Sequence, residues 1–321
     1  MEYRTLGKTG LRVSQMGFGC APLGNEYGSL SDNEGTQAVL AAIDHGINFF
    51  DTSPYYGRTL SESRLGQALR GRRHEVVVAT KGGRFDAPLE TGFDFSYNSI
   101  ITMCEASLTR LQTDYLDVYQ LHDIEFGDKA VVVNEGIRAL HDLQQAGKVR
   151  FVGVTGYPLP LLREMVETQT LDVTLSYCHY NLLNQQLDEV LVPAVQARGL
   201  GLINGSVTHM GILTEQGAQG WHPAPRVIKE TAVRAAAYCR EQGVSLAQLS
   251  IQFALQNPHV DVTLLGTRTR AELMSSLSLL NAPLNTAVLA EVQAILQPVV
   301  NLSWESGRPE HFEPGALAQE D

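Results

Sequence analysis

Eight short runs rich in Val, Ile, Leu, Phe and Tyr recur along the 321-residue chain, separated by segments long enough for helices. They are RVSQMGFG, INFFDTS, EVVVATK, YLDVYQLH, VRFVGVTG, LDVTLSYC, LGLINGS and VDVTLLGT. Strands that alternate with helices imply a parallel sheet, and eight is the number at which such a sheet closes on itself. The expected fold is therefore α/β, a single (β/α)8 barrel domain over residues 1–321. Residues 1 to 12 read as an N-terminal β-hairpin, with Gly7 to Gly10 as its turn, that plugs the bottom of the barrel. The acidic end, 311–321, is expected to be a mobile tail.

Punctuation between the strands supports this order. Ser31 and Glu34 form an S-x-x-E capping box before GTQAVLAAIDHG, which Gly46 stops. A helix from Asp128 should end at Gly147, Pro158 marks the start of another, and Pro193 should kink or divide the next. KETAVRAAAYCREQG and LAQLSIQFALQ leave room for two helices between the last two strands.

Composition narrows the partners. A formal net charge of -11 argues against nucleic acid or an anionic membrane surface. Cys20, Cys104, Cys178 and Cys239 show neither C-x-x-C spacing nor clustering, so no metal site is expected, and reduced thiols fit a cytoplasmic setting. The N-terminus is polar, and no stretch approaches the roughly 20 apolar residues of a membrane span.

Four polar side chains close strand ends: Asp51 and Tyr56 in FFDTSPYYG, Lys81 in VVVATK and His122 in DVYQLHD. Each alone has an ordinary reading as a turn residue, a packed aromatic, a surface charge or a structural histidine. Barrel ligands, however, bind at the carboxyl ends of the strands, so all four should share one cleft. An acid, a phenol, an amine and an imidazole together make a proton-transfer site without a nucleophile. The Lys81 ammonium is expected to lower the phenol's pKa from its usual value near ~10, with Asp51 holding Lys81 and His122 binding a substrate oxygen. Tyr56 then serves as acid or base for a carbonyl/alcohol pair.

Familiar phosphate motifs are missing. GFGCAPLG has Pro22 at the third glycine position of a dinucleotide fingerprint, and Gly7-Lys8-Thr9 lacks the earlier glycine of a P-loop. Loops after the seventh and eighth strands remain, namely Ser206 and Gly266-Thr267-Arg268-Thr269-Arg270 ahead of a helix N-terminus. Thr269 is equally suited to a plain helix cap.

The set Asp51, Tyr56, Lys81 and His122 resembles the aldo-keto reductase superfamily, and the resemblance spans nearly the whole chain. FDTSPYYGRTLSES, LHDIEFG, LSYCHY, GILTEQG, WHPA and AILQPVVNLSW are similar to its L-galactose dehydrogenase and bacterial aldose 1-dehydrogenase branch. The resemblance implies an NAD(P)-dependent oxidation of an aldose at C1 to the lactone, with Tyr56 as general base. It implies nicotinamide contacts at Thr155, Gly156 and Tyr177, where members often carry Ser-Asn and Gln. Gly205 stands where many members place an aromatic that stacks on the ring, a role Tyr177 can take, and Ser206 matches a serine at the phosphates. Members that grip a 2′-phosphate usually have arginine at the position of Glu272, so NAD is expected, with NADP as the alternative that Arg268 and Arg270 favour. Tyr55 and Asp123 are candidate substrate contacts. NLSWESG matches a C-terminal loop over the barrel mouth, making Trp304 a candidate wall of the sugar pocket or else a residue packing the last helix. The partner is a small sugar, handled by a monomer or small homo-oligomer. The competing readings are an NADPH-dependent aldehyde or ketone reductase and a redox-sensing binding subunit like the potassium-channel β subunits.

Overall fold

The computed structural model describes residues 1–86, 88 and 91–318. The chain begins with an antiparallel hairpin of β1 (Tyr3–Thr5) and β2 (Arg12–Ser14). Eight parallel strands follow: β3 (Met16–Gly19), β4 (Phe49–Asp51), β5 (Val77–Gly82), β6 (Leu116–Leu121), β7 (Val149–Gly156), β8 (Val173–Tyr177), β9 (Gly201–Gly205) and β10 (Val262–Gly266). They close into a barrel in chain order, with β10 hydrogen-bonded to both β9 and β3. This is the expected (β/α)8 architecture.

The apolar runs lack a polar alternation because both faces of these strands are covered. Every residue of β5 and β6 is buried. Phe18, Phe50, Val78, Tyr119 and Val152 pack outward with the helices, while Phe49, Ala79, Val118, Val173, Ile203 and Val262 fill the barrel interior. Leu6, Leu11 and Val13 of the hairpin join that interior cluster, so the hairpin plugs the bottom. Gly7 permits the close fit: its φ is +47°, and a Cβ there would lie 2.2 Å from the Gly201 nitrogen.

The expected first strand is divided. Gln15 donates its amide to Glu2 O and accepts from Thr263 N, so the chain changes partners there, from the hairpin to the barrel. Pro193, lacking an N–H, divides Gln186–Val190 from Val192–Arg198. Ser31 and Glu34 form both hydrogen bonds of the capping box on Asp32–Asp44.

After the helix Thr286–Leu296 the chain crosses the barrel mouth. Asn301 N bonds Leu183 O, Arg308 N bonds Glu125 O, and Leu317 N bonds Ser303 O. Gly307, at φ +81°, is pressed so close to Glu125 that a Cβ would sit 2.3 Å from its carbonyl oxygen. Of the segment expected to be a tail, His311 is buried with Nδ1 2.8 Å from Glu125 O, and residues 319–321 lie outside the described residues. Among the described residues no helix is long and apolar enough to cross a membrane.

Because Leu6 fills the end of the barrel opposite the strand carboxyl ends, Leu6→Ala should cost about 2–5 kcal/mol of stability. Urea unfolding measures this, and kcat/KM should stay within about twofold of wild type. A cost below about 1 kcal/mol would mean that the hairpin is not part of the core.

Candidate active site

Asp51 pairs in register with Ala79 on the neighbouring strand, and Lys81 lies two residues further along, on the same face. The Lys81 ammonium donates to Asp51 Oδ1 at 2.5 Å and to Thr52 O at 2.8 Å. Both side chains are almost wholly buried, at 1% and 3% exposure. Burial pushes the Asp51 carboxyl up from its ordinary value, and the Lys81 charge opposes that shift. Asp51 Oδ2 has no hydrogen-bond partner among the described residues.

Tyr56 is brought to this pair by a tight loop. Its amide bonds Ser53 O, and Gly57, at φ +61°, packs directly on Gly24, where a Cβ would lie 2.2 Å from the Gly24 oxygen. The phenol oxygen sits 3.4 Å from Lys81 Nζ. The expected lowering of the phenol's pKa is overturned. Burial, first, and then the charges of Asp51 and Asp123 push it well above the ordinary tyrosine value. Lys81 spends its two shortest bonds on Asp51 and Thr52, so its field at Tyr56 is largely cancelled.

His122 meets Tyr56 edge-on with ring centroids 5.8 Å apart. Burial lowers its pKa to about 3, so the imidazole is neutral at any working pH. Ser53 orients the imidazole. Its hydroxyl oxygen accepts the Tyr55 N–H at 3.1 Å and lies 3.0 Å from His122 Nδ1; when the hydroxyl donates to Nδ1, the ring proton resides on Nε2. A phenol O–H and an imidazole N–H thus stand side by side, suited to an oxygen that gains negative charge.

Asp123, in the left-handed region at φ +53°, pairs with Arg84, whose guanidinium lies 3.7 Å over the Tyr55 ring. The Thr155 hydroxyl accepts the Asp123 N–H at 3.0 Å and donates to Asp123 Oδ1 at 3.2 Å, so it is committed to Asp123. Gly156 and Tyr177 both face Glu125. A Cβ on Gly156 would stand 2.9 Å from Glu125 Oε2, and the Tyr177 hydroxyl donates to Oε1 at 3.2 Å. Glu125 is fully buried, and burial followed by the Asp123 charge raises its pKa to about 8. A Cβ on Gly205 would lie 3.3 Å from the Tyr177 Cβ, so Tyr177 occupies the space next to that bare position.

Trp304 is not on the pocket surface. At 2% exposure it stacks on Tyr157 at 4.5 Å, with His209 and His222 edge-on, and Tyr157 in turn meets Tyr177 at 5.5 Å. It backs the wall rather than forming it. Sequence reasoning missed Ser53, Arg84 and Glu125. The signals were a serine inside DTSPYY, a charge three residues after Lys81, and a second acid in LHDIEFG.

Beside these strands, β9, β10 and β3 are consecutive neighbours and end on Gly205, Gly266 and Gly19. That strip of three adjacent strand ends carries no side chains. Ser206 stands at its edge with φ +56°. Thr267 is buried, and Thr269 caps the helix Arg270–Ser278 by accepting from Glu272 N at 3.2 Å. Arg268 donates to Glu272 from Nε at 3.0 Å and Nη2 at 2.6 Å, and from Nη1 to Tyr27 O at 3.0 Å.

Comparison with known proteins agrees with this geometry. The Aldo/keto reductase family model matches residues 15–297. L-galactose dehydrogenase from Arabidopsis thaliana is 42% identical over 317 residues, covering 96% of this chain and 98% of that protein. D-threo-aldose 1-dehydrogenase from a Pseudomonas species is 31% identical, covering 82% and 88%. Among solved structures, the holo form of aldo-keto reductase AKR11C1 from Bacillus halodurans superposes with a TM-score of 0.75 at 26% identity, covering 97% of this chain and 99% of that one.

A carboxyl that titrates near about 8 when folded, against 4.5 unfolded, is protonated by folding between those values, so its contribution to stability falls as pH rises through that window. Glu125→Gln removes this loss, and its Tm relative to wild type should climb from pH 5 to pH 9 in thermal melts. A pH-independent difference would mean that Glu125 is ionised throughout.

Proposed function

The chain belongs to the aldo/keto reductase family, and from that premise we propose that it oxidises an aldose at C1 to the lactone, with a nicotinamide dinucleotide as hydride acceptor. The observation that carries this reading is the Tyr56 phenol 3.4 Å from a buried, Asp51-bound ammonium and edge-on to a neutral imidazole. The similarity to L-galactose and aldose dehydrogenases supports a sugar as substrate.

In this reading His122 donates its Nε2–H to the C1 oxygen and fixes its position. Tyr56, as the phenolate, takes the proton from that oxygen, Lys81 steadies the phenolate by an N–H bond, and Asp51 holds Lys81 in place. The bound dinucleotide supplies the hydride acceptor, and the glycine strip at Gly19, Gly205 and Gly266 with Ser206 and Arg268 would hold it. Because the phenol's pKa is raised, the deprotonated base is scarce at neutral pH and grows with pH. Oxidation therefore speeds up toward alkaline pH, while reduction uses the protonated phenol. The same raised pKa favours a second reading, an NADPH-dependent aldehyde reductase with Tyr56 as acid. A panel of aldoses with NAD, against simple aldehydes with NADPH, separates the two.

Tyr56→Phe should lower sugar oxidation by roughly 10²–10⁴-fold while leaving dinucleotide affinity intact, with the wild-type rate rising into alkaline pH and no limb near neutrality from His122. A loss below tenfold by steady-state kinetics would remove Tyr56 from the chemistry.

NAD is the preferred cofactor in this reading. Glu272 presents a carboxylate bonded to Arg268, so a 2′-phosphate there would meet a guanidinium already neutralised and a like charge that repels it. Glu272→Arg should shift the NADP/NAD ratio of kcat/KM toward NADP by at least tenfold. A wild-type preference for NADP, or an unchanged ratio in the variant, would contradict this selection.

A further inference from the structure

We infer that Arg84, held by Asp123 and lying over the Tyr55 ring, is a specificity-determining residue. It binds a hydroxyl on the carbon next to the reacting one, so that the site prefers α-hydroxylated substrates to their deoxy counterparts. The inference rests on the proposed carbonyl/alcohol chemistry at Tyr56 and His122, and adds what the rest of the substrate must carry.

Arg84 lies three residues beyond Lys81, on the loop that leaves β5. Gly83, at φ +96°, makes the turn, and a Cβ there would strike the Phe95 ring at 2.3 Å. The guanidinium is 3.7 Å from the Tyr55 centroid, 5.2 Å from Phe93 and 5.7 Å from Phe126. Three rings surround it, and a guanidinium packs on aromatic faces as a compact, strongly hydrated ammonium does not. Nη1 donates to Asp123 Oδ2, which lies 3.7 Å from His122 Nε2. An oxygen bonded to His122 Nε2 is therefore a close neighbour of the pair, and the oxygen on the adjacent carbon falls within its reach.

The pair has capacity to spare. Among the described residues, Arg84 Nε is buried without a hydrogen-bond partner, and a guanidinium carries five N–H donors. Asp123 is an acceptor only. A hydroxyl is the group that accepts from one and donates to the other at once, while a methylene leaves both short of a partner. The pair's charges cancel, which suits a neutral polyhydroxy compound over an anion. Asp123 is held for this role by Thr155, which bonds both its amide and its carboxylate.

The test compares kcat/KM for an aldose with its 2-deoxy analogue in oxidation, and for glyceraldehyde with propanal in reduction. Wild type, Arg84→Met, Arg84→Lys and Asp123→Asn are used, with Tm and dinucleotide Kd as checks on folding. Wild type should prefer the hydroxylated member of each pair by about 10²-fold, a modest fraction of the discrimination available to sites built to bond a hydroxyl. Arg84→Met should lower the hydroxylated substrate by about that factor and the deoxy one less than threefold, with Arg84→Lys recovering only part because it lacks the fork. Should Arg84→Met fail to fold, the same ratio is read from Arg84→Lys and Asp123→Asn. Equal losses on both members, or an unchanged preference in the variants, would overturn the inference while leaving aldose oxidation standing. Selective glyceraldehyde reduction without oxidation of any aldose would instead overturn the proposed function and leave the role of Arg84 standing. A wild type that turns over neither pair would overturn both.

Discussion

The Lys81–Asp51 ion pair is the interaction on which the rest of the site depends. Two charges at 1% and 3% exposure persist only because each satisfies the other. Removing one partner of such a pair typically costs about 3–5 kcal/mol, because the remaining charge is left uncompensated. The barrel supplies the geometry for nothing extra: adjacent parallel strands in fixed register bring Asp51 beside Ala79 and Lys81 one pleat above. Tyr56 and His122 then pack around a charge that cannot move. The phenol gains a donor at 3.4 Å but sits in the negative field of Asp51 and Asp123, so it rests protonated.

A second layer holds the first. Glu125 lies one helical step beyond His122 and Asp123, and its backbone oxygen accepts from Arg308 N at 2.9 Å. Its carboxyl Oε1 accepts from Tyr157 N and from the Tyr177 hydroxyl. Gly156 and Gly307 both lack side chains where Glu125 needs room. Gly156 and Tyr177 are thus neighbours through one buried acid. The C-terminal segment over the mouth docks on the same residue, and Trp304 sits behind it against Tyr157.

Much of this was legible in the sequence. Eight apolar runs gave eight barrel strands, because parallel strands buried on both faces need uninterrupted apolar residues, and that need shows in one dimension. Asp51, Lys81 and His122 were legible because residues at strand carboxyl ends converge whatever the loops do, and Tyr56 joins them through the tight loop that follows Asp51. The exchange of partners at Gln15 was not, since it depends on Glu2 and Thr263 arriving from different parts of the chain. The direction of the Tyr56 shift was not legible for a related reason. Proximity to Lys81 follows from the motif, but burial and the competing bonds of Lys81 are properties of the packed interior. Arg84 and Glu125 carry no motif of their own, and only the folded loops bring them to Asp123 and Tyr177.

At the Tyr56 phenol, burial and the Asp51 charge outweigh Lys81. Ultraviolet difference titration of the free protein, wild type minus Tyr56→Phe, follows that single phenol directly. Its phenolate absorbance should appear only above the ordinary tyrosine range near ~10. A phenolate that appears near neutral pH would contradict it, and would mean that the ammonium dominates the site.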